Sequence, residues 1–263
     1  MFDSIRAKKS LGQNFLKDPH YLGRIADTAN IGPADHVLEI GPGLGHLTQV
    51  LTERAGKVLA IEVDDRLIPH LQETFKTTAN FALVHADALE YDYASLEGTW
   101  KVVANLPYYI STPIIQKLIQ HRSTFSTLTL MLQKEVAERI ASDPGGKEFG
   151  YLSVLVQLYT RPRIAFKVPA AAFTPRPEVD SVVLTLLVRD RPAVQLASEA
   201  DFVRVVKAAF SQRRKTLRNA LKKLDLPKDK MDAVQGRTGI DLGARAETLS
   251  VEDFGKLANF LYA

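Results

Sequence analysis

His36-Val37-Leu38-Glu39-Ile40-Gly41-Pro42-Gly43-Leu44-Gly45-His46 is the stretch that decides the fold. A short apolar run gives way to a glycine-rich turn, and an amphipathic pattern, Leu44–Arg54, follows it. This is a strand, a turn and a helix, and such a turn lets a ligand approach bare backbone at the carboxyl edge of a sheet. The spacing narrows the ligand class. A dinucleotide fingerprint requires its third glycine at position 46, which is His46; Gly41, Gly43 and Gly45 alternate instead. The segment does not match a Walker phosphate loop either.

The same alternation of strand and helix patterns continues outward. Val58–Val63, Phe81–His85, Lys101–Ala104 and Thr127–Leu132 read as further strands, separated by the helical patterns Arg66–Phe75, Pro113–His121 and Lys134–Ala141. Near-continuous apolar character in the strands fits a parallel sheet covered by helices on both faces. Val179–Val188 is another strong strand pattern and Arg161–Val168 a weaker one, so the sheet is expected to end in a hairpin rather than another crossover. After Arg189-Asp190-Arg191-Pro192 the character changes, and Phe202–Leu224 reads as one or two helices followed by shorter helical pieces. The expected class is therefore α/β and Rossmann-like, with residues 1–190 forming the larger domain and 191–263 a small helical one. There is no internal repeat.

Composition bounds what this framework can do. The 263 residues are 46% hydrophobic and 24% charged, enough apolar content for a full core. Residues 191–263 hold 14 Lys+Arg against 9 Asp+Glu, whereas residues 1–190 hold 20 against 21. The basic excess thus sits in the tail, a pointer to a polyanionic partner that a solvated helix face would also produce. With no cysteine, disulfides, thiolate nucleophiles and sulfur-ligated metals are excluded. The six histidines are scattered without metal-ligand spacing, so no metal site is expected. The start, MFDSIRAKKS, lacks an apolar signal core and no apolar run approaches membrane-spanning length, which makes the cytoplasm the expected location.

Three successive strand ends carry the candidate binding residues. The first leads into Gly41; the second ends in Ala60-Ile61-Glu62-Val63-Asp64, with Glu62 roughly twenty residues past the loop, where an acid grips ribose hydroxyls. The third ends in His85-Ala86-Asp87, placing Asp87 to accept from an adenine amino group. Together these describe a nucleoside pocket. The fourth strand ends beside it in Asn105-Leu106-Pro107-Tyr108.

An adenine N6 is a poor nucleophile because its lone pair is delocalised, whereas a sulfonium methyl is strongly electrophilic. Such a transfer needs positioning more than a strong base. The Asn105 side-chain oxygen and a backbone carbonyl near Leu106–Pro107 can accept both amino hydrogens and stabilise the charge developing on nitrogen. Tyr108 would stack on the base. A base drawn from its stack needs a second aromatic wall, and the proline-braced Phe173-Thr174-Pro175-Arg176-Pro177 offers Phe173, although a phenylalanine read alone is more often core.

These residues, together with Lys9-Ser10-Leu11-Gly12-Gln13-Asn14-Phe15-Leu16 and Arg213-Arg214-Lys215-Thr216-Leu217-Arg218-Asn219, resemble the small-subunit ribosomal RNA adenine N6,N6-dimethyltransferases. That family is related to the Erm resistance methyltransferases and the mitochondrial transcription factor B proteins. The resemblance covers nearly the whole chain. It implies a class I fold using S-adenosylmethionine and no metal. Asn14 and Leu16 would close over the cofactor, Gly41 would contact it, Glu62 would hold its ribose, Asp87 would meet its adenine and Asn105 would bridge cofactor and target. The implied substrate is a pair of adjacent adenosines in the hairpin loop near the 3′ end of 16S rRNA, each methylated twice in the assembling 30S subunit, and the implied state is a monomer.

On that reading Arg213, Arg214, Lys215, Arg218, Lys222 and Lys223, along a helical stretch, would grip RNA phosphates together with Arg6, Lys8 and Lys9. One departure is Ala86, where the family usually has glycine; alanine is tolerable unless that backbone needs positive φ. Two other functions compete: methylation of 23S rRNA, as in the Erm enzymes, and a nucleic-acid-binding assembly factor that keeps the fold without needing catalysis.

Overall fold

The computed structural model describes residues 7–8, 11–212 and 214–263. The chain divides into two compact units, residues 1–137 with 161–188, and residues 138–160 with 189–263. The second unit thus takes 138–160 as well as the tail, where the sequence suggested a single cut near 190. The apolar stretch Tyr151–Tyr159 goes with the tail helices because it needs a partner for more than one of its faces.

The first unit is built on strands β1 (Phe15–Leu16), β2 (His36–Ile40), β3 (Lys57–Glu62), β4 (Phe81–His85), β5 (Trp100–Asn105), β6 (Phe125–Gln133), β7 (Thr160–Val168), β8 (Phe173–Thr174) and β9 (Ser181–Val188). Its helices are α1 (Pro19–Thr28), α2 (His46–Thr52), α3 (Ile68–Thr74) and α4 (Ser111–Gln120). Seven strands form one sheet in the order β4-β3-β2-β5-β6-β9-β7. The first five are parallel, and β9 returns antiparallel against β6, with Gln133 opposite Ser181 and Thr127 opposite Leu187. The strand order reverses at β2, the switch point where open α/β sheets bind ligands.

Local chemistry explains the start of the framework. Asp18 caps α1 by accepting from His20 N–H, and Pro19 occupies a first-turn position where no N–H is needed. One face of the unit buries Leu22, Ile25 and Ala26 of α1, and Leu47 and Leu51 of α2, against Val37, Val58, Val103 and Val183. A separate cluster, Leu67, Leu71 and Phe75, seats α3. Outside the main sheet, β1 and β8 form a two-stranded antiparallel ladder with Phe15 opposite Thr174 and Leu16 opposite Phe173.

The second unit is helical: α5 (Lys134–Ala141) leads into it, and α6 (Tyr151–Tyr159), α7 (Glu199–Ala209), α8 (Leu217–Leu221), α9 (Lys228–Thr238) and α10 (Val251–Tyr262) make it up. Phe149 meets Phe210 edge-on and Phe210 meets Phe254 at a tilt, a series of ring contacts, and a Ser250–Asp253 capping box starts α10. The stretch expected to be helical over 202–224 breaks after Ala209, so Arg214 and Lys215 lie in the turn before α8 rather than on a helix.

Candidate active site

The loop from β2 to α2 shapes the floor of the site. Gly41, Gly43 and Gly45 all have positive φ (70°, 59° and 84°). At Gly45 a side chain is doubly disfavoured, because a Cβ there would also lie 2.8 Å from the Phe75 ring. At Gly41 a Cβ would meet nothing within 4 Å: the backbone faces open space. That space is a cleft of about 1040 Å³, its open mouth included, lined by the ends of β2, β3, β4 and β5 and by residues 11–16.

Glu62, at the end of β3, is buried and organises this floor. Its Oε2 accepts from Gly43 N–H at 3.2 Å, while Oε1 accepts from Val63 and Asp64 N–H at 3.0 and 2.9 Å. Burial pushes its carboxyl above the usual range, opposed by these three N–H donors. Beneath it Glu39 is only 1% exposed and accepts from Thr48 Oγ1 at 2.6 Å. Burial, with Glu62 nearby, lifts Glu39 to about 8 despite that hydrogen bond. Asp64 moves the other way, to about 2, because Arg66 and Gln13 donate to it. Gln13 thereby ties the segment before β1 to the end of β3, a link with no local sequence signal.

At the end of β4, Asp87 lines the cleft and its Oδ1 accepts from Leu89 N–H at 2.8 Å. Ala86 is not among the positive-φ residues, so the alanine sits there without strain. Asn105 ends β5. Its Nδ2 donates to the Asn14 carbonyl at 3.1 Å, which leaves Oδ1 as an acceptor. Leu106 N–H donates to Met131 O, and Tyr108 Oη lies 2.8 Å from Ser181 Oγ on β9. Burial raises the Tyr108 phenol above its ordinary value, opposed by the hydrogen bond to Ser181.

Asn14, Leu16, Gly41, Glu62, Asp87, Asn105, Leu106, Pro107 and Tyr108, each named from sequence, therefore line one cleft. Phe173 does not. It is 4% exposed, paired with Leu16 across the small ladder and packed in the core, so its expected part as a second aromatic wall is corrected to a core one. The aromatic ring displayed at the cleft is Tyr109, 56% exposed and in contact range of Gly12. Its position beside Tyr108 was the available signal.

Among the proposed phosphate contacts, Lys8, Arg214, Lys215, Arg218, Lys222 and Lys223 are exposed, and Arg218 pairs with Asp232 at 2.8 Å. Arg6, Lys9 and Arg213 lie outside the described residues. Among the described residues, no group is suited to a metal ion and no helix is long and apolar enough to cross a membrane.

Comparison with known proteins gives the family. The family model described as ribosomal RNA adenine dimethylase matches residues 4–263. The ribosomal RNA small subunit methyltransferase A of Moorella thermoacetica is 51% identical over 97% of this chain and 92% of its own length. That of Geobacter sulfurreducens is 47% identical over 99% and 97%. Among solved structures, a dimethyladenosine transferase from Plasmodium falciparum has a TM-score of 0.79 at 29% identity, covering 92% of this chain and 95% of that one. The 23S rRNA methyltransferase ErmE follows at 0.75 and 29%, covering 95% and 100%. A seven-stranded sheet with its cleft at the switch point, the Asn105–Tyr108 turn on its rim and relatives along nearly the full chain lead to one assignment: the chain belongs to the ribosomal RNA adenine dimethylase family.

Proposed function

We propose that this protein transfers methyl groups from S-adenosylmethionine to N6 of two adjacent adenosines in the 3′-terminal hairpin of 16S rRNA, giving N6,N6-dimethyladenosines during 30S assembly in the cytoplasm. It acts as a monomer, without a metal. The observation that carries the reading is the orientation of Asn105, whose amide nitrogen is committed to the Asn14 carbonyl so that its oxygen is free to accept.

The residues fit the cofactor: open space over Gly41, a buried carboxylate at Glu62 for ribose hydroxyls, and Asp87 on the rim for an adenine amine. When bound, S-adenosylmethionine supplies a methyl on a positively charged sulfur. In the first transfer Asn105 Oδ1 and the backbone carbonyl at Leu106 or Pro107 would each accept a hydrogen of the target amine, and in the second, where the monomethylated amine keeps one hydrogen, one of the two acceptors would hold it. This concentrates the lone pair toward the methyl and stabilises the charge on nitrogen as the new N–C bond forms and the S–C bond breaks. One amine proton then leaves to solvent, and sulfur departs as a neutral thioether. Tyr108, its hydroxyl fixed by Ser181, holds the ring face, and exposed Tyr109 adds a second aromatic surface. Lys8, Arg214, Lys215, Arg218, Lys222 and Lys223, with Arg6, Lys9 and Arg213, supply phosphate contacts.

A second reading, methylation of 23S rRNA, draws support from the likeness to ErmE. The relatives near half identity, all named for the small subunit, favour the first. Labelled methyl from S-adenosylmethionine, offered to 30S subunits lacking the 3′-hairpin modification and separately to 50S subunits, separates them. Dimethyladenosine approaching two residues per 30S subunit is expected. Label in 50S subunits alone would overturn the reading in favour of the Erm-like one, and no label with cofactor bound would favour an assembly factor.

A further inference from the structure

β7 is the outermost strand of the sheet, hydrogen-bonded to β9. It reads Thr160-Arg161-Pro162-Arg163-Ile164-Ala165-Phe166-Lys167-Val168, with three cations and no acid. Side chains alternate across a strand, so Arg161, Arg163 and Lys167 share one face. Phe166 belongs to the other, where it stacks on Tyr21 with ring centroids 6.4 Å apart and lies under the Arg24 guanidinium at 3.9 Å. All three cations are exposed, and none takes part in an ion pair among the described residues. They form a stripe about 20 Å long.

The stripe has a direction. Just past β7, Ala170 N–H donates to Asp180 Oδ1 at 2.9 Å, and Asp180 O accepts from Lys134 N–H at the carboxyl end of β6. The next residue, Ser181, meets Tyr108 Oη. The Lys167 end therefore lies at the carboxyl edge of the sheet, the edge that carries the Asn105–Tyr108 turn. Basic residues on an edge strand also deter pairing with another sheet. Here Pro162 already removes a donor from that edge. Three unpaired cations on one face exceed what edge protection requires.

We propose that Arg161, Arg163 and Lys167 form a track for the phosphate backbone of the substrate RNA, leading toward the target-base side of the cleft. This inference rests on the proposed rRNA substrate. The triple variant Arg161→Gln, Arg163→Gln, Lys167→Gln keeps polarity and removes charge. Its binding to unmodified 30S subunits should lose about 2 in the slope of log affinity against log salt, at roughly 0.7–0.9 per phosphate contact. KM for subunits should rise while kcat and S-adenosylmethionine binding stay unchanged. The single reversal Arg163→Glu, the milder change to the fold, should move the slope in the same direction, and Arg161→Lys with Arg163→Lys should restore it. An unchanged slope in these variants, with wild-type methylation intact, overturns the track. The same slope accompanied by self-association in light scattering overturns it in favour of edge protection. If wild-type protein neither binds nor methylates the subunits, the rRNA reading itself fails.

Discussion

The two sides of the cleft are built on opposite plans. On the proposed cofactor side the carboxylates are buried and fixed: Glu62 accepts from three N–H groups, one of them that of Gly43 in the turn, and Glu39 accepts from Thr48 Oγ1. On the proposed target side, the Asn105–Tyr109 turn is short, anchored by hydrogen bonds of the Asn105, Tyr108 and Ser111 side chains, and ends in an exposed tyrosine. The difference teaches that the two sides face different demands. A small cofactor of fixed shape rewards preorganisation. A nucleotide drawn out of a folded RNA must enter and leave; on the proposed function, its side displays the Tyr109 ring and fixes the Asn105 amide and the Tyr108 hydroxyl by one hydrogen bond each.

The strongest test of that contrast is Asn105→Ala. It should lower single-turnover methyl transfer by about 10²–10³, roughly 3–4 kcal/mol of barrier, with unchanged circular dichroism. A normal rate would remove Asn105 from the chemistry. Glu62→Gln should instead act on the cofactor side, weakening S-adenosylmethionine binding by about 10–100-fold in calorimetry, since a hydrogen bond to a charged group contributes roughly 1.5–3 kcal/mol. Equal affinity would mean that Glu62 serves only the loop.

Glu39→Gln sharpens the contrast through pH. The folded carboxyl is raised to about 8, so wild-type protein has the full benefit of a neutral group only below the ordinary carboxylate range and loses it as pH climbs toward 8. The variant, always neutral, should gain stability relative to wild type across that window, by at most about 1.4 kcal/mol per pH unit in chemical denaturation. A pH-independent difference would show Glu39 charged throughout. The smallest effect is expected from Tyr108→Phe, which keeps the ring and loses the contact with Ser181: about 1 kcal/mol of stability or less, with near-normal turnover. A large loss of turnover would give the hydroxyl a chemical part.

Much of this was readable because it is local. His36–Ile40 and Phe81–His85 coincide with short, largely apolar runs, and Glu62, Asp87 and Asn105 reach one cleft because parallel strands bring all their carboxyl ends to one edge. What escaped is non-local or lacks a period. α6 is apolar on nearly every face, so no alternation distinguishes it as a helix. The Gln13–Asp64 and Glu39–Thr48 contacts depend on which chain segments meet. Phe173 followed the commoner fate of its residue type once Leu16 was paired with it.

That pairing reaches beyond packing. Its partners, Leu16 with Phe173 and Phe15 with Thr174, lie 157 and 159 residues apart in the chain. During synthesis the strands that carry Gly41, Glu62, Asp87 and Asn105 emerge well before Phe173 and Thr174. Phe15 and Leu16, which line the cleft, gain their ladder only once Phe173 and Thr174 have emerged, and closing so long a loop belongs to the slow part of folding. A nascent chain that ends short of Thr174 would hold the Gly41, Glu62, Asp87 and Asn105 side of its cleft without the ladder that fixes Phe15 and Leu16, so affinity for the cofactor should appear only after that point in synthesis.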